Sequence, residues 1–272
     1  MDRYAVMGNP VAHSKSPRIH TLFAGQTNQQ LRYDAILVQR DGFKEAVTDF
    51  LHQGGKGLNI TIPFKEEAWA LAATRSDRAE RAGAVNTLVL DENGRHFGDN
   101  TDGAGLVRDL LHNYGAVLQN KRLLLVGAGG AARGVIEPLL GEKPSLLVIA
   151  NRTAEKAVQL ACLFCELGHT EGCGLTDVDG QPFDIIINAT AASLSGAVPA
   201  LPEGVVTTDS WCYDMMYGDQ PTAFMEWAQQ LGAVRCMDGL GMLVEQAAES
   251  FCLWRKVRPD TGPVIQALRQ PD

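Results

Sequence analysis

The sequence lacks any long hydrophobic run. No window of its 272 residues approaches the roughly 18 apolar residues of a membrane span. The first residues also lack the apolar core that marks a secretory signal. We therefore expect no membrane partner and a cytoplasmic location.

Positive charge is also scarce. The chain has 24 Lys and Arg against 32 Asp and Glu, which gives a formal charge of −8. Proteins that bind nucleic acids neutralise phosphates with a surplus of Lys and Arg, so we expect no nucleic-acid partner. With 45% apolar and 21% charged residues, the composition is that of a globular protein. Its length admits one large or two modest domains.

Cysteines are few and scattered. The six cysteines accompany no secretory signal, so a disulfide framework is not expected. Cys162, Cys165 and His169 superficially resemble zinc-ligand spacing. The two cysteines lie, however, in a stretch with amphipathic helical spacing, where such small residues usually pack in a core. We expect no metal, and a zinc-binding module is the third-ranked alternative for this chain.

Glycine is abundant by contrast, with 28 residues, and short β-rich runs alternate with helical runs along the chain. This alternation predicts an α/β fold with parallel sheets and right-handed crossovers. A second series of such units starts near residue 121, and no flexible linker precedes it. We therefore expect a domain boundary near residue 103, within a continuous helix over 100–114 or at a short hinge.

A glycine-rich turn follows the apolar strand predicted at 122–126. The sequence there is Gly127-Ala128-Gly129-Gly130-Ala131-Ala132. The first glycine permits a tight turn, the second lets a pyrophosphate approach the backbone, and Ala132 permits close helix packing. The helix N-terminus adds N–H donors. The strand–turn–helix context predicts a Rossmann-type dinucleotide site; the alternative is a turn that only packs two elements.

The end of the next predicted strand distinguishes the two nicotinamide cofactors. An NAD site usually has an acidic residue there. This chain instead has Asn151-Arg152-Thr153, followed by Lys156. Arg152 can pair with a 2′-phosphate, and its neighbours add donors and charge. We therefore predict NADP, with a solvated surface role for Arg152 as the alternative.

Polar clusters mark the ends of four predicted elements in the first hundred residues. Two serines beside a helix N-terminus suit a small carboxylate. Any one cluster could be turn or capping chemistry, but four together ahead of a nucleotide fold favour a binding site. The clusters contain Ser14 and Ser16, then Thr61 and Lys65, then Asn86, and finally Asp102.

These motifs together resemble the shikimate dehydrogenase family along essentially the whole chain. Further matching segments lie at 188–190, 213–217 and 238–247. The resemblance implies an NADP-dependent oxidoreductase of the shikimate pathway, which serves aromatic amino acid biosynthesis by reversibly reducing 3-dehydroshikimate to shikimate. It also implies a substrate domain at 1–103, completed by C-terminal helices at 239–272, with a Rossmann-type NADP domain inserted at 104–238. A monomer or a homodimer is expected.

The resemblance also assigns roles to individual residues. Ser14 and Ser16 would bind the substrate carboxylate. The side chains around its ring hydroxyls would be Thr61, Lys65, Asn86, Asp102, Tyr217 and Gln246. The cofactor would be held by the turn residues 127–131 and by 151–153 and Lys156, and the nicotinamide side would be lined by Asn188, Thr190, Met215 and Gly239. Asp77 matches a position linked to the cofactor in relatives.

Ketone reduction requires a proton for the developing alkoxide, and Lys65 is the expected donor. An ammonium both stabilises an alkoxide and donates to it. Asp102 would orient the substrate and Lys65. The alternatives are a surface lysine paired with a neighbouring glutamate and a helix N-cap aspartate, respectively.

Two positions depart from the family pattern. Thr21 stands where the family often has Asn, and Ala191 follows Asn-Ala-Thr where Ser is usual. Two alternative functions therefore stay open. One is a quinate/shikimate dehydrogenase-like paralogue that acts on a related cyclic hydroxy acid. The other is a non-catalytic NADPH-binding regulator.

Overall fold

A computed structural model describes residues 1–93 and 95–270 and divides the chain into two compact units. The first comprises Met1–Gly105 and Val244–Asp272, and the second comprises Leu106–Leu243. Both divisions fall slightly later in the chain than the predicted 103/104 and 238/239. The last two residues of the predicted piece 239–272 lie outside the described residues.

The first unit is built on a six-stranded mixed sheet. Three parallel strands form one half, and a short antiparallel pair with one edge strand forms the other. The order is β2-β1-β3-β5-β6-β4. The strands are β1 (Asp2–Gly8), β2 (Leu31–Leu37), β3 (Gly55–Ile60), β4 (Thr74–Arg75), β5 (Thr87–Val89) and β6 (Phe97–Asp99).

Helices of this unit follow its strands. In the second helix Phe43, Val47 and Phe50 are buried at helical spacing, so one face packs into the core. That core also contains Leu58 and Phe64. The helices are α1 (Ser16–Gln26), α2 (Phe43–His52), α3 (Lys65–Leu71) and α4 (Asp77–Ala82), and α5 (Asp102–Arg108) begins in this unit and ends in the second.

The second unit contains a six-stranded, wholly parallel sheet with the order β12-β11-β10-β7-β8-β9. Leu123 and Leu125 face one core, whereas Leu124 and Val126 face the other. Burial on both faces is typical of the Rossmann-type doubly wound fold. The strands are β7 (Arg122–Val126), β8 (Leu146–Asn151), β9 (Thr170–Gly174), β10 (Ile185–Asn188), β11 (Trp211–Asp214) and β12 (Arg235–Met237).

The helices of the second unit are α6 (Gly130–Gly141), α7 (Ala154–Phe164) and α8 (Ala223–Gln230). The predicted helix over 100–114 is divided in the structure, because α5 is followed by a π-helical turn over Asp109–Asn113. Asp109 in this turn is 1% exposed and accepts a hydrogen bond from the Tyr213 hydroxyl at 2.6 Å.

The last two helices are α9 (Leu240–Arg255) and α10 (Gly262–Arg269). The part of α9 from Val244 onward belongs to the first unit. There Trp254 stacks on Tyr4 with 4.7 Å between ring centroids, and its Nε1 donates to the Leu88 carbonyl at 3.0 Å. These contacts fix the end of α9 to strands β1 and β5 of the first unit.

Candidate functional site

An ion pair between Lys65 and Asp102 lies in the first unit. Lys65 begins α3 and Asp102 begins α5. The Lys65 Nζ donates to Asp102 Oδ2 at 2.5 Å, and the two side chains are 24% and 12% exposed. Partial exclusion of water strengthens such a pair, while the remaining exposure leaves the ammonium within reach of a small molecule.

The amide of Asn86 contacts the other oxygen of this carboxylate. Its Nδ2 donates to Asp102 Oδ1 at 2.8 Å and to Gln246 Oε1 at 3.3 Å. Its Oδ1 accepts the backbone N–H of Thr101 at 2.9 Å. The structure thus brings four predicted residues into one cluster, namely Lys65, Asn86, Asp102 and Gln246. Thr101, which the sequence did not predict, completes the cluster.

The predicted serines lie at the start of α1. The backbone N–H of Ser16 donates to the Ser14 Oγ at 3.3 Å. Thr61 directly follows β3, and its backbone N–H donates to the Met7 carbonyl at 3.0 Å. A Cβ at Gly8 would overlap the Thr61 methyl group. Glycine is therefore required at this position for Thr61 to occupy its place.

Asp77 is exposed in the first turn of α4, beside a buried ion pair. Arg78 donates to both oxygens of Asp99, at 2.7 and 2.5 Å, and the Asp99 side chain is 3% exposed. Burial alone would raise the pKa of Asp99. The hydrogen bonds from Arg78, Ser76 and the Asn100 N–H outweigh burial and hold that pKa below its usual value.

In the second unit, the glycine-rich turn connects β7 to α6. Gly127 has φ +115°, a conformation that favours glycine. Side-chain atoms built at Gly129 and Gly130 would meet nothing within 4 Å. Open space therefore adjoins the start of α6, where the first N–H groups lack intrahelical partners. This geometry fits a pyrophosphate.

A pocket of about 370 Å³ lies beside this turn. Asn151 and Arg152 line it from the end of β8, Thr190 lines it from the end of β10, and Val198 and Pro199 add apolar surface. The described residues that line it include one cation and no carboxylate, which suits a phosphate-bearing nucleotide. Thr153, directly before α7, and Lys156, in the first turn of α7, are both exposed.

Asn188 is fully buried at the end of β10 and faces inward. Its Oδ1 accepts from the Thr190 hydroxyl at 2.7 Å, and its Nδ2 donates to Asp214 at 3.1 Å. Burial raises the pKa of Asp214, and hydrogen bonds from Ser193, Thr222, the Met216 N–H and Asn188 offset part of that rise. Asn188 thus fixes the Thr190 hydroxyl by a hydrogen bond, and Thr190, rather than Asn188 itself, lines the pocket.

Met215 and Gly239 lie together at the end of the parallel sheet. The Met215 N–H donates to the Asn188 carbonyl at 2.9 Å, and the Gly239 N–H donates to the Met216 carbonyl at 3.0 Å. A Cβ at Gly239 would overlap the Met215 carbonyl, so the backbones approach too closely for any side chain. Tyr217 is half-buried, and burial raises its pKa.

None of the described helices is long and apolar enough to cross a membrane. Within 1–93 and 95–270, no group of three or more His, Cys, Asp or Glu side chains is arranged to hold a metal ion.

Three protein-family models match the chain. They are described as the shikimate dehydrogenase substrate binding domain, at residues 6–88, shikimate / quinate 5-dehydrogenase, at residues 109–196, and the shikimate 5′-dehydrogenase C-terminal domain, at residues 239–269. A curated relative from Dechloromonas aromatica, shikimate dehydrogenase (NADP(+)), is 59% identical over 98% of this chain and 97% of its own length.

Solved structures are similar along the whole chain. An Ael1 enzyme from Pseudomonas putida is 48% identical, with a TM-score of 0.93 over 100% of this chain and 99% of its own. Shikimate 5-dehydrogenase from Thermus thermophilus, solved in complex with NADP(H) and shikimate, is 31% identical with a TM-score of 0.86, and the match covers 99% of each chain.

Proposed function

The chain belongs to the shikimate dehydrogenase family, and from that premise we propose that it reversibly reduces 3-dehydroshikimate to shikimate with NADPH. The observation that carries this proposal is the cluster of Lys65, Asp102, Asn86 and Gln246 in the first unit. The cluster combines one ammonium, one carboxylate and two amides, which suits a small, hydroxyl-rich ring.

For the substrate, we assign the carboxylate to Ser14 and Ser16 at the start of α1, where backbone N–H groups favour an anion. Four side chains would surround the ring hydroxyls together with the Lys65–Asp102 pair. They are Thr61, Asn86, Tyr217 and Gln246.

For the chemistry, Lys65 donates a proton to the oxygen of the reduced carbonyl and takes it back in the reverse direction. Its positive charge also stabilises the alkoxide as it forms, in a site partly shielded from water. Asp102 accepts from Lys65 Nζ at 2.5 Å and so fixes the direction of the ammonium. Asn86 engages the second oxygen of that carboxylate at 2.8 Å.

For the cofactor, we assign NADP to the glycine-rich turn and its pocket in the second unit. When bound, it supplies or accepts the hydride. Residues Gly127, Ala128, Gly129, Gly130 and Ala131 would bind the pyrophosphate, and Asn151, Arg152, Thr153 and Lys156 would bind the 2′-phosphate side. Asn188, Thr190, Met215 and Gly239 would form the nicotinamide side, and Asp77 is a further candidate contact.

Replacing Arg152 with alanine is expected to raise the KM for NADP about 10- to 100-fold. The variant loses a charge-assisted hydrogen bond to the 2′-phosphate, worth about 1.5–3 kcal/mol. The KM for NAD, which has no such phosphate, should change by less than about twofold. Steady-state kinetics with both cofactors measure this, and an equal rise for NAD would remove Arg152 from the 2′-phosphate site.

The proposed function is tested by measuring turnover of shikimate and quinate, each with NADP and NAD. We expect shikimate with NADP to give the highest kcat/KM. Comparable turnover of quinate would favour the paralogue that acts on a related hydroxy acid. Tight NADPH binding without turnover of either acid would indicate a non-catalytic regulator.

We also infer a cytoplasmic monomer or homodimer that acts on a small molecule. The family membership supports the small-molecule partner. Sedimentation equilibrium on the purified chain tests the oligomeric state, and fractionation of cells tests the location.

A further inference from the structure

A buried polar network lies behind the Lys65–Asp102 cluster, and its centre is Asn59 on β3. Asn59 is 7% exposed. Its Oδ1 accepts from the Tyr33 hydroxyl at 2.7 Å. Its Nδ2 donates to the hydroxyls of Ser250 at 2.9 Å and Thr87 at 3.2 Å, and it also contacts the Asn86 carbonyl at 3.3 Å. Asn59 thus connects β2, β5 and α9.

The hydroxyls of Thr87 and Ser250 connect Asn59 to the candidate site. The Thr87 hydroxyl donates to Asn86 Oδ1 at 2.8 Å. The Ser250 hydroxyl lies 2.8 Å from the Thr87 hydroxyl and 3.1 Å from the Gln246 carbonyl, and it can donate to either. A hydroxyl has a single proton. Because Asn59 donates to both hydroxyls, their own protons point away from it. The proton of Thr87 points toward Asn86 Oδ1, and that of Ser250 points toward Thr87 or the Gln246 carbonyl.

Tyr33 determines which way the amide of Asn59 faces. A phenol donor at Oδ1 leaves the NH₂ group on the side of Thr87 and Ser250. Burial raises the pKa of Tyr33, although the Ser16 side chain offsets part of the rise, so the phenol stays protonated. The Tyr33 ring stacks on His20 with 4.1 Å between centroids. Burial lowers the pKa of His20 to about 3, against a smaller opposing effect of Asn59, so this imidazole is neutral.

We propose that Asn59, oriented by Tyr33, is a positioning residue for the reaction. It sets the directions of the Thr87 and Ser250 hydroxyls, and through them the amide of Asn86 and the helical turn that carries Gln246. This inference rests on the proposed function, in which Asn86 and Gln246 contact the ring hydroxyls. The Thr101 N–H is a second donor to Asn86 Oδ1, at 2.9 Å. Loss of one network bond therefore weakens the arrangement without abolishing it.

The first test compares Tyr33→Phe with Tyr4→Phe. The two tyrosines are paired in register on β2 and β1, and both are buried. The Tyr4 hydroxyl, however, accepts from Arg255 at 3.3 Å. We expect Tyr33→Phe to lower kcat/KM for shikimate about tenfold, the value of one hydrogen bond. The KM for NADP should stay unchanged, and Tyr4→Phe should stay within about twofold of wild type. Equal effects of the two variants would overturn the proposal.

The second test replaces the hydrogen-bond donor of Asn59 with an acceptor. Asn59→Asp keeps the shape of the side chain but replaces its NH₂ donors with an acceptor, so we expect a loss of about 100-fold in kcat/KM. Should this variant not fold, Thr87→Val and Thr87→Ser give the same information. We expect Thr87→Val to lose about tenfold and Thr87→Ser, which keeps the hydroxyl, to retain activity. Equal activity of the two Thr87 variants would contradict the proposed direction.

A deoxy analogue of shikimate, which lacks a hydroxyl next to the oxidised carbon, separates positioning from a general loss of structure. If Asn59 acts through Asn86 and Gln246, the ratio of wild-type to Tyr33→Phe kcat/KM should fall toward one when the analogue replaces shikimate. An equal penalty with both substrates would overturn the proposal. Wild-type protein inactive on shikimate would refute the proposed function. An active wild type with an unaffected Tyr33→Phe would refute only the positioning role.

Discussion

Replacing Lys65 with methionine is expected to lower kcat for shikimate oxidation by about 10³-fold or more while changing KM only a few-fold. Methionine keeps much of the length of the side chain but removes the proton and the positive charge. Both act on the oxygen as its charge develops, so their loss raises the barrier rather than weakening substrate binding. Steady-state kinetics in both directions measure the effect.

Lys56→Met is the matched control. Lys56 belongs to the same unit and also forms an ion pair, to Glu92 at 2.8 Å, but both members of this pair are exposed. Its kcat should equal that of wild type. The double variant Lys65→Met/Asp102→Asn should be little slower than Lys65→Met alone, because residues that act as a unit are not additive. Near-normal turnover of Lys65→Met would remove this lysine from the mechanism.

Replacing Arg78 with methionine is expected to lower the free energy of unfolding by about 3–5 kcal/mol at pH 7. The change leaves the carboxylate of Asp99, whose side chain is 3% exposed, buried without its cation. Urea denaturation measures the loss. Lys56→Met again serves as the control, since an exposed pair contributes at most about 1 kcal/mol.

The loss caused by Arg78→Met should depend on pH. Because the pKa of Asp99 is depressed in the folded protein, its carboxylate contributes stability above its unfolded pKa of about 3.9, and that contribution is lost as the pH falls through the folded value. The unfolded pKa cancels between wild type and variant. Their difference should therefore narrow as the pH falls from the raised pKa that buried Asp99 has without its cation toward the depressed wild-type value. A difference that stays constant from pH 7 to pH 3 would mean that the Asp99 charge is not its cause.

Local patterns predicted the parts of the fold that depend on neighbouring residues. The strand Arg122–Val126 has the predicted bounds, and the glycine-rich turn follows it as expected. An apolar run, a turn that requires glycine and a helix start lie within a dozen residues there. All the information needed for this segment is therefore in the segment itself.

The sequence did not predict several short, polar elements, because these segments carry too little local information. The helix Asp77–Ala82 has only six residues, four of them charged, so it shows no apolar periodicity. The strands Thr74–Arg75, Thr170–Gly174 and Arg235–Met237 all lie at sheet edges. They are only two to five residues long and contain charged residues or glycine, so they show no clear alternation of apolar residues.

The buried network was beyond sequence reasoning because its members are so far apart. Asn59 and Ser250, which are bonded at 2.9 Å, are separated by 191 positions. The only local clue was an asparagine between two apolar residues, Leu58 and Ile60, in a strand. Such a residue needs partners, but nothing in the strand identifies them. Most substrate-side roles, such as those of Thr61, Tyr217 and Gln246, likewise came from family resemblance, whereas the roles of the glycine-rich turn and of Arg152 came from the local pattern.

The division of the first unit into two stretches of chain has a consequence for synthesis on the ribosome. Translation completes residues 1–105 and then the whole of the second unit before Ser250 and Trp254 exist. Until then, the amide of Asn59 and the carbonyl of Leu88 lack the partners that α9 provides. These two polar groups of the N-terminal sheet therefore remain without those hydrogen bonds until α9 has been synthesised. The first unit is therefore begun first and finished last.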